Sequence, residues 1–313
     1  VTDAAATAAR RRWDRVPPHA RGQLAVAGAA LAWSTAGVVQ RGLDVSAATQ
    51  VAGRAMFAAV ALLGLVALME RRGTWTAFRS MGRAELGFAA CAAVSSGTFM
   101  LALNYTTVAT VLFMQALAPL LAALIARVAL GERVAGRTWS AMAIALGGVT
   151  LMVGGPDAPS ASGQLLAFLV TVSFAGGIVI ARHRRDVSMA PATCVSQLAV
   201  LAVALPFVET AGLSGHEITL LAFLGICQIG LGLGLLTVGA RLIPPAEVAL
   251  ITLLEVVLGP LWVWLAYDEQ PGTSTVVGGL VVLLAVAVQA AGDLRRPGRL
   301  AQAAASAPAG EDP

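Results

Sequence analysis

Apolar residues come in ten long runs, and the arginines fall between those runs in strict alternation. The runs cover 23–40, 47–69, 85–103, 107–126, 138–154, 164–181, 191–209, 217–239, 246–266 and 275–292. A helix needs about 20 mainly apolar residues to cross roughly 30 Å of hydrocarbon, and each run approaches that length. A barrel strand would alternate apolar and polar positions over about ten residues. These runs are instead continuous and rich in Ala, Leu and Gly. The pattern predicts an all-α membrane protein of ten transmembrane helices, spans 1 to 10. The first run is long enough to span and nine follow it, so no cleavable signal peptide is expected.

Composition agrees. Hydrophobic residues make up 58% of the chain and charged residues 12%, with a mean hydropathy of +0.79. A soluble domain carries roughly a quarter charged residues. All 21 basic residues are Arg. The net charge of +4 does not indicate nucleic-acid binding, because the arginines are dispersed over short loops and tails without stacking aromatics among them.

Their distribution sets an orientation. Positive loops stay in the cytoplasm. The N-terminal tail (Arg10, Arg11, Arg12, Arg15, Arg21), the 2–3 loop (Arg71, Arg72, Arg79, Arg83) and the 4–5 region (Arg127, Arg133, Arg137) fall on one side. The 6–7 loop (Arg182, Arg184, Arg185), Arg241 and the C-terminal Arg295, Arg296 and Arg299 join them. Only Arg41 and Arg54 fall toward the other side, whose loops carry Asp44, Asp157, Glu209, Asp268 and Glu269. Both termini are expected in the cytoplasm of a bacterial inner-membrane protein. Residues 1–21 and 293–313 read as disordered tails. The Gly/Pro/Ser-rich stretch 155–163 reads as a periplasmic linker between five-helix units at 22–154 and 164–292.

An internal repeat crosses that linker. Gly22-Gln23-Leu24 opens span 1, and Gly163-Gln164-Leu165 opens span 6. In that register Trp33 matches Phe174, Val38 matches Val179 and Arg41 matches Arg182. Spans 4–5 match spans 9–10, aligning Ala109 with Ala246, Leu117 with Leu254, Glu132 with Glu269 and Thr138 with Thr275. Five spans per unit is an odd number, so the two units must be inverted in the bilayer. Inverted repeats with a midplane site are a recurrent transporter plan.

Polar groups inside spans are the candidate chemistry. Glu255, near the middle of span 9, costs about 3 kcal/mol to insert if charged at the bilayer centre. It reads either as a cavity-facing acid that binds a substrate amine or cycles a proton, or as a neutral structural carboxyl. Arg54 can snorkel outward and pair with Asp44 or a helix carbonyl in a gating or structural role, the preferred reading, or hold a substrate carboxylate. Gln115 and Gln228 are hydrogen-bonding groups that serve a ligand or join helices. Trp33, Phe99, Phe174 and Trp262 offer aromatic faces for a ring or a cation, or simply pack. Asn104 and Tyr105 read as interfacial anchors. Pro119 and Pro260 are expected to interrupt spans 4 and 9.

Other motifs carry less. Gly230-x-Gly232-x-Gly234 lacks the preceding strand of a dinucleotide fingerprint, and small residues for close helix approach explain it better. Cys91, Cys194 and Cys227 fall inside spans as small apolar residues. His19, His183 and His216 lie in loops or at span edges and assemble no triad or metal site. Neither a cofactor nor a metal is implied, and no catalytic residue is assigned.

The stretch 105–152 runs from Tyr105-Thr-Thr-Val-Ala through Ala118-Pro119 and Leu130-Gly131-Glu132-Arg133 to Gly147-Gly148. It resembles the EamA-type exporters of the drug/metabolite transporter superfamily. The second half carries a weaker version at Glu255-Val256-Val257-Leu258-Gly259-Pro260, where Val256 replaces the usual proline and Tyr267-Asp268-Glu269 replaces Leu-Gly-Glu. Trp33-Ser34 and Arg54 also match positions where the family has such residues. The resemblance spans 22–292 and is nearest to the aromatic-amino-acid and paraquat exporter group. It implies two inverted five-helix repeats around a central cavity, and export of amino acids or cationic drugs by alternating access. The expected substrate-binding residues are Trp33, Phe99, Gln115, Phe174, Gln228 and Glu255, with Arg54, Pro119 and Pro260 in gating or structural roles. The expected partners are a small-molecule substrate and the lipid bilayer. A monomer is compatible with this plan, and no Walker motif points to direct ATP coupling. An importer or lipid flippase of the same fold, an intramembrane enzyme and a structural membrane protein are the competing readings.

Overall fold

A computed structural model of the protein describes residues 17–70, 73–131, 134–155, 160–184, 187–209 and 213–294. Among these residues every regular element is helical. In hydrocarbon each backbone N–H and C=O must be satisfied within its own segment, which the helix achieves and an open strand does not.

Ten helical units follow in chain order. They are α1 (Pro18–Arg41), α2 (Ala47–Glu70), α3 (Arg83–Tyr105), α4 (Val108–Leu130), α5 (Gly136–Gly154), α6 (Ala161–His183), α7 (Ala190–Phe207), α8 (Gly215–Gly239), α9 (Pro245–Tyr267) and α10 (Thr273–Leu294). A short helix, Thr74–Arg79, lies between α2 and α3. Among the described residues nine helices are long and apolar enough to span a membrane. The tenth, α5, has 19 residues but opens on the polar Arg137, Thr138 and Ser140. The ten units match the ten apolar runs to within a few residues.

Helix neighbours obey a two-fold rule. Exchanging the two halves maps the α1–α9 contact onto α6–α4, α1–α8 onto α6–α3, and α2–α8 onto α7–α3. The α2–α7 and α5–α10 contacts map onto themselves. Both self-paired contacts are antiparallel. Thr49 Oγ1 donates to Glu209 O at one end of α2–α7, and Cys194 lies against Ala59 O further along. Gly148 meets Gly278 in α5–α10, where Gln289 donates to Thr138 at 2.8 Å. Antiparallel pairing of equivalent helices is what an axis lying in the membrane plane requires, so the repeats are inverted.

Small residues set the spacing. Gly225 lies on the backbone of Arg54 and Ala58, Gly230 on Ala61, and Gly232 on the indole of Trp33. The glycine run of α8 is thus a packing surface against α1 and α2, as its sequence suggested. The three cysteines are free thiols, with Cys194 buried and Cys91 and Cys227 half-buried.

Four spans are irregular. α1 breaks at Thr35, where the Ser34 and Thr35 hydroxyls donate back to Leu31 O and Ala32 O and compete with the helix. α4 breaks after Gln115 and restarts at Ala118, with Pro119 in the new first turn, where its missing N–H costs nothing. α8 is π-helical over Phe223–Leu231. α7 ends in a tighter turn at Leu205–Phe207. The expectation for Pro260 requires correction, because α9 runs unbroken through it from Pro245 to Tyr267. Proline there removes one internal hydrogen bond, and the remaining helical turns, packed along α1, carry α9 through it. α4 and α9 each end on a left-handed residue, Gly131 (φ 68°) and Asp268 (φ 51°). Asp268 is therefore the departure from the Leu-Gly-Glu motif at a position of glycine geometry, which a short polar side chain tolerates.

Adjacent glycines offer a test of the packing. A Cβ on Gly148 would fall 2.6 Å from the Gly278 carbonyl, whereas one on Gly147 meets open space. Gly148→Val should destabilise the protein by about 1–3 kcal/mol, and Gly147→Val should leave thermal unfolding in detergent near that of the native protein. Equal melting of the two variants would contradict the α5–α10 contact.

Candidate functional site

Two polar regions inside the bundle lie on either side of α1, which packs on both α8 and α9. The first is the junction of α2, α3, α7 and α8. Arg54 in α2 is 5% exposed. Its Nε and Nη2 donate to Gln228 Oε1 at 3.1 and 3.0 Å, and its Nη1 donates to Ser96 O and Oγ at 3.3 and 3.2 Å. Ser96 Oγ in turn donates to Gln197 Oε1 at 3.2 Å. The buried ring of Phe99 lies 5.7 Å from the guanidinium carbon, within cation–π range.

The junction follows the repeat. Arg54 and Gln197 each lie seven residues after the first residues of their helices, Ala47 and Ala190. Ser96 and Gln228 each lie thirteen after theirs, Arg83 and Gly215. Arg54–Gln228 and Gln197–Ser96 are thus repeat-related pairs on one polar chain. The π-helical stretch places Gln228 here. Up to its first turn α2 and α8 match at Gly53–Leu221 and Phe57–Gly225; from its last turn onward they match at Ala61–Gly230 and Leu65–Gly234, one residue further along α8. The extra residue is what a π-bulge inserts, and such bulges recur at functional sites.

Of the two partners expected for Arg54, Asp44 or a helix carbonyl, the geometry supplies the carbonyl, that of Ser96, and the side chain stays buried instead of snorkelling outward. Its partners are an amide, a hydroxyl and a helix carbonyl, all uncharged. Solvation by Ser96 and Gln228 removes the need to reach the interface.

The second region lies where α1, α4 and α9 meet. Trp262 Nε1 donates to Ser34 Oγ at 3.0 Å, and Gly259 packs on Leu112 of α4. Glu255, Gly259 and Trp262 are spaced i, i+4, i+7 and so share a face of α9. Because α4 and α9 are antiparallel at Leu112–Gly259, Gln115 and Glu255 lie at matching levels, one turn nearer the arginine-rich end. Glu255 is half-buried, and among the described residues no hydrogen bond or ion pair holds it. Gln115 is half-buried, and its Oε1 is a buried acceptor without a donor among the described residues. Trp33, half-buried, bridges the regions. Its indole rests on Gly232, one turn from Gln228, and the next residue, Ser34, binds Trp262. Phe174 is exposed on α6, a helix that packs chiefly on α3 and α4. Pro119 is exposed and Pro260 half-buried.

The arginine-poor end is cross-linked between repeats. Arg41 Nε donates to Glu269 Oε2 at 2.7 Å, and Arg41 also donates to the carbonyls of Leu103 and Thr106. Glu269 Oε1 accepts the Val108 N–H at the start of α4. A side-chain chain continues inward, with Gln40 and Asn104 both donating to Gln50 Oε1. Asn104 is thus a network member rather than an interfacial anchor. Outside this closure lies an open vestibule of about 360 Å³ lined by Arg41, Tyr105, Ser160 and Glu269 among others. Glu132, Arg133, Asp157 and residues 1–16 and 295–313 lie outside the described residues. At the arginine-rich end Glu247 meets His19 at 3.1 Å, and Arg184 meets Glu85 at 3.3 Å. Ser96, Gln197, Gln40 and Gln50 were missed from sequence. The signal available was a polar side chain in the interior of an apolar run.

Comparison with known proteins agrees with this architecture. The family model described as the EamA-like transporter family matches twice, over residues 20–154 and 161–290. A solved structure titled only "Crystal structure of protein" is similar in fold, with a TM-score of 0.61, 18% identity, and coverage of 86% of this chain and 96% of that one. A comparison with curated protein sequences finds no match.

If Arg41 and Glu269 act as a pair, their losses should not add. Arg41→Gln and Glu269→Gln should each lower stability, and a double-mutant cycle on thermal unfolding should give a coupling on the order of 1 kcal/mol. Strict additivity would mean that the contact does not join the repeats.

Proposed function

Because the chain belongs to the EamA-like transporter family and is a multi-pass membrane transporter of the drug/metabolite type, we propose that it exports small amphipathic metabolites, amino acids or cationic drugs, from the cytoplasm. The observation that carries this reading is the half-buried carboxyl of Glu255, which has no partner among the described residues, level with Gln115, whose Oε1 is a buried acceptor without a donor there. A structural carboxyl at membrane depth needs a donor, since leaving such a group unmade costs several kcal/mol. An acid held without one is suited to a cationic group that comes and goes. Trp33 and Trp262 supply aromatic surface beside it, and ammonium groups favour such faces. Phe99 and Gln228 extend the same lining through the neighbouring junction, and Phe174 supplies a ring from α6.

Transport proceeds by rocking of the two inverted repeats around this midplane region. The Arg41–Glu269 cross-link between halves is the closed external gate of that cycle, and Arg54, Pro119 and Pro260 fix the shape of the helices that move. The arginine-rich face is cytoplasmic by the positive-inside rule, which puts both termini there and the protein in a bacterial inner membrane. A monomer suffices for the cycle.

Two outcomes follow. Glu255→Gln keeps the shape and removes the charge, so it should reduce uptake of cationic substrate severalfold, or flatten its pH dependence, at normal expression and melting. Wild-type transport at every pH would leave Glu255 a packing role. Single cysteines at Ser160 and Arg184 should react with impermeant reagents from opposite sides, Ser160 from outside only. Reaction of both from one side would overturn the orientation.

A further inference from the structure

The Arg54 junction carries a charge that its architecture does not need. The two repeats build it from equivalent positions, and the second repeat does so with Gln197, a neutral amide bonded to Ser96. The first repeat places a guanidinium there, 5% exposed. Every acceptor on Arg54 is uncharged, and among the described residues no carboxylate lies within ion-pair distance of it. Guanidinium has five N–H donors in a fixed fork. Nε and Nη2 donate to Gln228 and Nη1 donates to Ser96, which among the described residues leaves one Nη2 hydrogen without an acceptor. A full charge held in a low-dielectric interior by dipoles alone attracts an anion, and Arg is the side chain whose fork fits a carboxylate. Two further features suit an incoming ligand. Gln228 stands in the π-helical stretch of α8, and irregular backbone at membrane depth is tolerated where protein encloses it or a cavity borders it. Trp33 links this junction to the unsatisfied Glu255 region through Gly232 and Ser34.

We infer that Arg54 binds a carboxylate of the transported molecule, so that the substrate carries a carboxylate as well as an amine. Resting on the transport reading above, this narrows the substrate class to amino acids over purely cationic drugs. Gln228 is the positioning residue that holds the guanidinium while the ligand is absent.

The test uses full-length protein in liposomes, with tryptophan and its decarboxylated analogue tryptamine as probes. Uptake of both is measured for the wild type, Arg54→Gln and Gln228→Glu. The second variant is near-isosteric and gives Arg54 a permanent internal carboxylate, so its melting temperature should equal or exceed that of the wild type, which reports folding independently. Both variants should lower the tryptophan-to-tryptamine uptake ratio by about tenfold or more, the scale of one lost charge-assisted contact. A wild-type ratio in both variants, with the wild type active, overturns the carboxylate assignment alone. A wild type that moves neither probe overturns the transport reading, and this assignment with it.

Discussion

An ionised guanidinium placed in hydrocarbon demands polar partners, and Arg54 obtains them from two other helices, α3 and α8. That demand organises the centre of the bundle. Gln228 must reach Arg54 from α8, which the extra residue of the π-helical stretch permits. Ser96 must offer both its hydroxyl and its carbonyl, so α3 must lie close to α2. Gln197 completes the chain from α7. Breaking one member leaves the rest desolvated and unpaired, which is the costly arrangement for a buried charge. The helices that surround the axis are therefore tied by a polar chain as well as by packing.

Packing provides what lies around that centre. Lipid tails are as apolar as the side chains, so helices gain little by hiding apolar surface and associate instead through close contact. Gly148 against Gly278, Gly225 against the α2 backbone and Gly232 against Trp33 are contacts of this kind. The inverted repeat also matches the left-handed ends of α4 and α9, at Gly131 and Asp268. Where the repeats differ, the difference is chemical: Arg54 faces Gln197 across the junction, and Glu255 has no acidic counterpart in α4. A transporter needs a symmetric scaffold to open to either side and an asymmetric lining to recognise a substrate, and the two are separable here.

Fold and site were unequally legible in the sequence. Ten apolar runs locate ten helices because hydrophobic length is a property of the chain itself. The repeat was visible in Gly22-Gln23-Leu24 and Gly163-Gln164-Leu165, and the odd span count made inversion obligatory. Arg54, Gln228 and Glu255 stood out as polar groups in apolar surroundings. Their partners did not, because Ser96 and Gln197 are polar residues of modest cost whose role depends on which helices meet. The break at Thr35 escaped notice, since Ser and Thr are tolerated within helices until their hydroxyls turn back on the chain. Pro260 misled in the opposite direction, because α9 stays helical through it, packed along α1, where local propensity argues for a break.

The measurement that bears most directly on the central claim is substrate counterflow. Purified protein in liposomes preloaded with excess unlabelled tryptophan is diluted into trace labelled tryptophan. A transporter that alternates access around an enclosed site should accumulate label transiently above equilibrium, and the overshoot should vanish with saturating unlabelled substrate outside. Label entry no faster than in protein-free liposomes, or entry without an overshoot across amino acids and organic cations alike, would contradict the account.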